Sequence, residues 1–443
     1  MATAPAYRVV PAPPLRAPPT GAQARSLPRD ATTDHPGYAC TPQTVVAIFR
    51  EAEAGRPSRQ CELLDDFVET DAHLRNLFEQ RAQAVAGKPR VIKTEGPDAA
   101  DAQAAADLSE AMAALGAGAD RAGLTEVIEH LLSFNRYGFA CAELHWGLRE
   151  IAGRLRIVPI AIDCVPARRF VVEPQTEELL LINDPALYLG DKPERLQPGK
   201  WIVIRRSMSR LVRSGLGRTA IWLALYKRYA TRDWVVYAEK FGLPFPIVSY
   251  DEAIADDAKD VAKLIAENIG NDGAAVVPKG VDVNIVDGTR GADSSGTHGG
   301  LITHCNRELS KLINGSTLSN DNGDSGGASY ALGDVHASVR WEAVQYDAER
   351  VQEAFRTQIA VPYCIYNGLD PRQPPILQIQ IVRDLDPKVR VEMGEKLLAM
   401  TVPLSLSQMR QDSGFAAPIN DEDTIKPPPP PTPAAPTPGK VAP

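Results

Sequence analysis

The chain has 443 residues, with 48 Lys and Arg against 56 Asp and Glu and a formal charge of −8, long enough for about two or three domains and a sizeable core. That balance gives no compositional reason to expect nonspecific binding to a phosphate backbone, although local charge governs what a given surface attracts. No apolar run of about 20 residues could cross a bilayer, no basic segment followed by a compact apolar run marks a leader, and six cysteines without a CxxC pair read as free thiols of a reducing compartment.

Residues 1–42, rich in Pro and Ala, read as a flexible arm. Folded structure is expected from about Thr44, where VVAIFREAEAG and the stretch from Cys61 to Gly87 give two helices parted near Gly55 and Pro57; in the second, Leu63, Phe67, His73, Leu74, Leu77 and Val85 recur at helical intervals. Lys88–Lys93 reads as a short strand, and helices follow over Ala104–Leu115 and Thr125–Phe134. From Gly138 to Pro174 the text changes to short β-prone runs punctuated by Gly153, Pro159, Pro166 and Pro174. Trp201–Arg205 is a further strand.

A basic, glycine-containing connection, Ser209–Gly217, leads into a long amphipathic helix over Arg218–Phe241, which could span roughly 36 Å unbroken. Ile221, Leu225, Tyr229 and Tyr237 mark its apolar face, and Trp222, Tyr226 and Trp234 make that face wide enough to pack on more than one neighbour. Gly242 supplies a C-terminal cap, and Pro244 and Pro246 force an extended exit. DEAIADDAKDVAKLIAENIG then reads as a helix, with extended candidates at Ala274–Val277 and Val281–Val286 around a PKG turn. Residues 288–300 form a polar loop. Helices return at Leu301–Leu312, Asp334–Ile359 and Val389–Met400, and residues 427–443, with nine prolines, form an extended tail.

The chemistry-bearing residues are sparse. No dinucleotide or Walker A glycine spacing occurs, and Lys279 in PKG reads as a turn or interface residue. His298, His304 and Cys305 come nearest to a metal cluster, but a four-ligand site would need remote partners. Asp65 with Asp66, Asp256 with Asp257, and Asp384 with Asp386 are dispersed carboxylates that read as solvated faces or ion pairs. Ser209, Ser214 and Ser316 lack a nucleophile elbow. The sharper signal is basic: Arg205, Arg206, Arg210, Arg213, Arg218, Lys227, Arg228 and Arg232, which either touch DNA phosphates without reading bases or join an ion-pair network at a wing-like subunit interface. The second reading is preferred, because no recognition helix is evident.

The order of motifs resembles the Mu-like phage portal proteins. It is carried by VVAIFREAEAGRPSRQCELLDDFVETDAHLRNLFEQRAQAVAGKP at 45–89, FNRYGFACAELHW at 134–146, DCVPARRFVV at 163–172 and RDWVVYAEKFGLPFPIVSY at 232–250. CNRELSKLINGSTLS at 305–319 and YALGDVHASVR at 330–340 complete the series. The resemblance implies a mixed α/β portal architecture with wing, helical stem, small α/β clip and a short or absent crown. Carried onto this chain, it gives a flexible arm over 1–42, wing over 43–230, the end of a stem helix over 231–246 and clip over 247–290. A channel-side loop and returning stem helix follow over 291–315, a second part of the wing over 316–425 and a proline-rich tail over 426–443.

The resemblance also implies a noncatalytic role, with no cofactor and no membrane: twelve identical subunits ringed at a unique capsid vertex around double-stranded DNA. Terminase, the major capsid or scaffold protein and head-tail connector proteins are the implied partners, in the virion and, during assembly, in the host cytoplasm. Residue types alone leave two alternatives, a metal-dependent nucleic-acid enzyme of phage maturation and a general capsid or tail interaction protein.

Overall fold

The computed structural model describes residues 40–94, 96, 99–116, 121–182, 193–241, 247–250, 260, 275–278, 294–316, 330–381, 392 and 394–396. The chain divides into a unit ending at Ile381 and a second, Val382–Pro443, and every element below belongs to the first. The helix expected over residues 251–270 apart from Asp260, the strand at 281–286, the Gly242 cap, the helix expected over 389–400 apart from four of its residues, residues 1–39 of the expected N-terminal arm, the proline-rich tail and Lys279 lie outside the described residues, whereas Pro42, read as the end of that arm, opens the first helix.

Three helices open the fold. In α1, Pro42–Glu53, Thr41 accepts from the Thr44 amide and Pro42 takes the first turn, where a missing N–H costs nothing; Val45, Ile48, Phe49 and Ala52 form its buried stripe. Gly55 turns the chain at φ +96, against the Val172 carbonyl that any Cβ there would strike. The stretch from Cys61 to Gly87 is two helices rather than one, α2, Ser58–Thr70, and α3, Ala72–Ala86. Asp71 makes the break: its backbone is extended, and its carboxylate accepts from the His73 and Leu74 amides, each at 3.0 Å, capping α3 at the expense of continuity with α2.

Strand β1, Arg90–Lys93, is followed by α4, Ala99–Ala113, α5, Leu124–Leu132, and the single turn α6, Phe134–Tyr137. Gly138 ends α6 at φ +94. Beyond it the chain forms one long hairpin where short runs were expected: β2, Phe139–Ile151, and β3, Arg154–Val165, joined through Ala152 and Gly153, both with positive φ. Two such residues match the right-handed strand twist. Pro159 does not end β3, because a bulge opposite His145 and Trp146 accommodates it.

A 3-10 turn, Ala167–Arg169, leads to the small sheet of β4, Phe170–Val172, β5, Leu179–Leu181, and β6, Glu194–Arg195. Strand β7, Trp201–Arg205, then returns beside β2, giving the antiparallel order β3-β2-β7. Helix α7 covers Leu216–Phe241, and β8, Ile247–Tyr250, pairs in parallel with β9, Ala275–Pro278. Helix α8, Ser294–Asn314, and α9, Tyr330–Phe355, follow; a π-turn, Arg356–Ala360, joins α9 to α10, Val361–Tyr366, and β10, Ile376–Ile379, pairs with β1.

The central sheet divides the interior. Alternate residues of each strand serve opposite faces. Phe139, Cys141, Val165 and Trp201 pack with α1, α2, α7 and α8, whereas Ala140, Leu144, Ile162 and Ile204 pack with α4, α5, α9 and α10. Coverage on both sides explains the unbroken apolar run FACA, which an exposed sheet would interrupt with polar residues. Side chains also satisfy the sheet margins. The Gln358 amide exchanges both bonds with Val203 of β7, at 2.7 and 2.9 Å, and the Asn367 amide does the same with Ile157 of β3, at 2.9 and 2.8 Å.

Candidate functional site: a two-helix pair and its anchor

Helices α7 and α8 run antiparallel. Tyr237 lies 6.3 Å from His298 between ring centroids, a Cβ on Gly299 would touch Trp234 at 3.9 Å, and at the other end Ile221 and Leu225 share a core with Leu309 and Ile313. The strands β8 and β9 fall within the segment that links the two helices. Trp234 and Tyr237 face α8, which leaves Val235 and Val236, about 100° and 200° further round from Trp234, on the outside. Trp234, Val235 and Val236 remain 37%, 52% and 41% exposed, and Leu301 of α8 is exposed as well. The far half of the pair therefore presents apolar surface that one chain does not bury. Among the described residues no helix is long and apolar enough to cross a membrane.

The near half is held by α3. At its start the Asp71 carboxylate, already capping its own helix, accepts from Lys227 Nζ of α7 at 2.7 Å. Two residues on, His73 Nε2 lies 3.1 Å from the Asn306 carbonyl and 3.0 Å from Ser310 Oγ, both on α8. Toward the other end of α3, Arg81 donates to the Ile313 carbonyl in the last turn of α8, where the helix dipole is negative and carbonyls lack intrahelical partners. Arg81 also grips Asp347 of α9 in a two-pronged pair, Nε to Oδ2 at 2.7 Å and Nη2 to Oδ1 at 3.1 Å. Asp347 has no exposure. Asn135 donates to it at 2.9 Å and accepts in turn from Arg206, so one network ties α3, α6, α8, α9 and the exit of β7.

The expected basic residues separate into used and unused charges. Arg213 and Arg218 both reach Glu53 of α1, Arg213 at 3.0 Å; Arg218 also donates to Gln60 and stacks 4.2 Å above the Phe49 ring. Burial raises the Glu53 pKa, but the bonds from Arg213 and Arg218 outweigh it and hold the carboxyl below its ordinary range. Arg228 donates to Thr70 and lies 4.3 Å above Phe67, and Arg232 bonds its neighbour Asp233. These bonds lie within one chain, so they fix α7 to α1 and α2 without a neighbour. Arg210 is exposed, and neither it nor Arg205 makes a side-chain hydrogen bond or ion pair among the described residues.

The candidate metal residues do not converge. His304 is exposed on α8 while the adjacent Cys305 is buried, as successive helical positions require, and among the described residues no three His, Cys, Asp or Glu side chains are placed to hold a metal ion. All six cysteines carry free thiols. Sequence reasoning missed the α3 anchor. Asp71 carried a local signal, an N-cap residue ahead of a helical stripe, but Arg81 and Asp347 are separated by 266 positions and nothing local couples them.

Comparison with known proteins places the chain, by its sequence, in a family. The chain is 26% identical over 361 residues to the Mu-like prophage FluMu protein gp29 of Haemophilus influenzae, covering 80% of this chain and 66% of that one. It is 27% identical over 341 residues to the portal protein of Escherichia phage Mu, covering 76% and 63%. The chain thus spans somewhat less than two thirds of these relatives. Among solved structures, the neck of an empty GTA particle matches with a TM-score of 0.48 at 16% identity, covering 85% of this chain and 94% of that one. An HK97 family phage portal protein from Corynebacterium diphtheriae matches with a TM-score of 0.38 at 13% identity, covering 82% and 98%. The family model described as the portal protein of Mu bacteriophage matches residues 61–415, and since that range takes in most of the sequence, the chain belongs to the Mu phage portal protein family.

Proposed function

We propose that copies of this chain close into a ring of twelve at a unique capsid vertex, forming the conduit through which double-stranded DNA is packaged and ejected. The family match over residues 61–415 carries the reading. The exposed apolar residues of α7 and α8 support it: helices whose apolar residues point outward need neighbours, and identical neighbours arranged by rotation supply them to every copy. In this reading the end of α7, with residues 231–246, is the descending part of the stem, residues 247–290 are the clip, residues 291–315 are the channel-side loop and the returning stem helix that α8 supplies, and residues 43–230 and 316–425 build the wing. Terminase, the capsid or scaffold protein and the head-tail connector dock on the ring at different stages. DNA is held without base reading, and the motor that binds the ring supplies the energy.

Electron microscopy and native mass measurement of the purified full chain test the proposal. The expected result is a closed ring with an axial opening and about twelve copies, a number that rests on the family reading. A solid particle, or copies distributed throughout the shell of assembled heads, overturns it.

A further inference from the structure

A cleft of about 380 Å³ lies between the outer margin of β7 and the end of α9, lined in part by Arg205, Met208, Arg350, Glu353, Thr357 and Gln358. Most of its polar groups are already engaged. The Gln358 amide is bound to Val203, Thr357 donates to the Glu353 carbonyl at 2.8 Å, and Arg350 Nη2 donates to the Arg205 carbonyl at 2.6 Å. Arg350 Nη1 donates to the Glu353 carboxylate at 3.0 Å, so those two charges offset each other. Arg205 is left. Its guanidinium, half-buried at the cleft, meets no carboxylate among the described residues, whereas Arg206 beside it is taken up by Asn135. Met208, 69% exposed, stands at the same cleft as an uncovered thioether.

We propose that this cleft receives the carboxylate of an Asp or Glu side chain from a second copy of the chain, making Arg205 a contact between subunits. The inference rests on the ring reading and names one of its contacts. One uncompensated cation matches one monoanion, and the guanidinium fork fits a planar carboxylate with two parallel bonds. Arg350, the other cation of the cleft, is paired with Glu353 at 3.0 Å, so the cleft offers one free charge rather than the row of cations that a phosphate backbone engages. Met208 can cover the methylenes of the incoming side chain. A chain with 56 Asp and Glu has carboxylates to offer.

The test uses full-length Arg205→Lys, half of it isotopically heavy, assembled and treated with a zero-length carbodiimide that joins an amine to a carboxylate only in contact. The expected product links position 205 of a light copy to an Asp or Glu of a heavy one, and it is lost in Arg205→Gln. Linkage only within one copy, or none at all, overturns the proposal. Native mass of the untreated wild-type chain is read separately: a ring without the cross-link sinks the cleft contact alone, and no ring sinks the assembly reading as well. If Arg205→Lys fails to fold, hydrogen exchange of the wild type replaces it, with protection of residues 205–209 on assembly expected and unchanged exchange refuting the contact. Binding of a short DNA duplex by the wild type that is lost in Arg205→Gln would assign the cleft to phosphate instead.

Discussion

Replacing Asp347 with Ala removes the hub of the network beneath the two-helix pair. The carboxylate is fully buried, accepts twice from Arg81 at 2.7 and 3.1 Å, and accepts once from Asn135 at 2.9 Å. Its loss strands a guanidinium that is 9% exposed, with only the Ile313 carbonyl left as a described partner. Removing one member of a buried pair costs about 3–5 kcal/mol, most of it the cost of the unpaired charge that remains. The loss is expected in the urea midpoint of the full chain and in faster amide exchange at the end of α8, which Arg81 holds. Because the cost belongs to the orphaned charge, Asp347→Leu combined with Arg81→Met should recover most of it, giving a large coupling energy in the double-mutant cycle. A single-variant loss below about 1 kcal/mol, or a double variant no more stable than Asp347→Ala, refutes this reasoning.

Three further outcomes follow from the same geometry. His130 is half-buried with Nε2 2.9 Å from the Cys141 carbonyl, and desolvation depresses its pKa although that bond opposes the shift; its folded pKa thus lies below the unfolded value of about 6.5, so its contribution is intact above that pH and lost as pH falls through the folded pKa. A His130→Gln chain should show a flatter stability profile as pH falls below about 6.5. Val235→Glu should abolish assembly in native mass measurements while shifting the stability of the unassembled chain by less than about 0.5 kcal/mol, because the side chain is already half exposed. Arg218→Ala, which loses Gln60, Glu53 and the Phe49 ring, should cost about 1–2 kcal/mol in chemical unfolding, whereas the more exposed Arg213→Ala should cost about 0.5 or less.

Much of the architecture was legible locally. Trp201–Arg205 was read with the bounds the strand has, and Arg218–Phe241 was read to within two residues of α7, because β-branched clustering and helical recurrence are short-range signals. The α2–α3 break was missed because the apolar spacing carries on through it; only the side chain of Asp71 marks the stop. The long hairpin was underread at Pro159, which a bulge absorbs. The basic run was legible as a cluster, but not its division into charges spent on Glu53, Asp71 and Thr70 and the unspent Arg205, since those partners come from helices more than 140 residues away. The width of the α7 apolar face was read from Trp222, Tyr226 and Trp234, but the outward Val235 and Val236 were not part of that reading, and the α3 anchor joins residues whose proximity exists only after folding.

The amides of Gln358 and Asn367 have a consequence for how copies can associate. Each fills, midway along an outermost strand, the donor and acceptor that a strand from another molecule would otherwise claim. Growth by strand addition, which has no natural end and yields fibres, is opposed at both flanks of the β3-β2-β7 sheet. In the proposed ring, copies would then meet at this sheet through side-chain faces set at a fixed angle, and it is such an angle that lets a finite number of them come full circle.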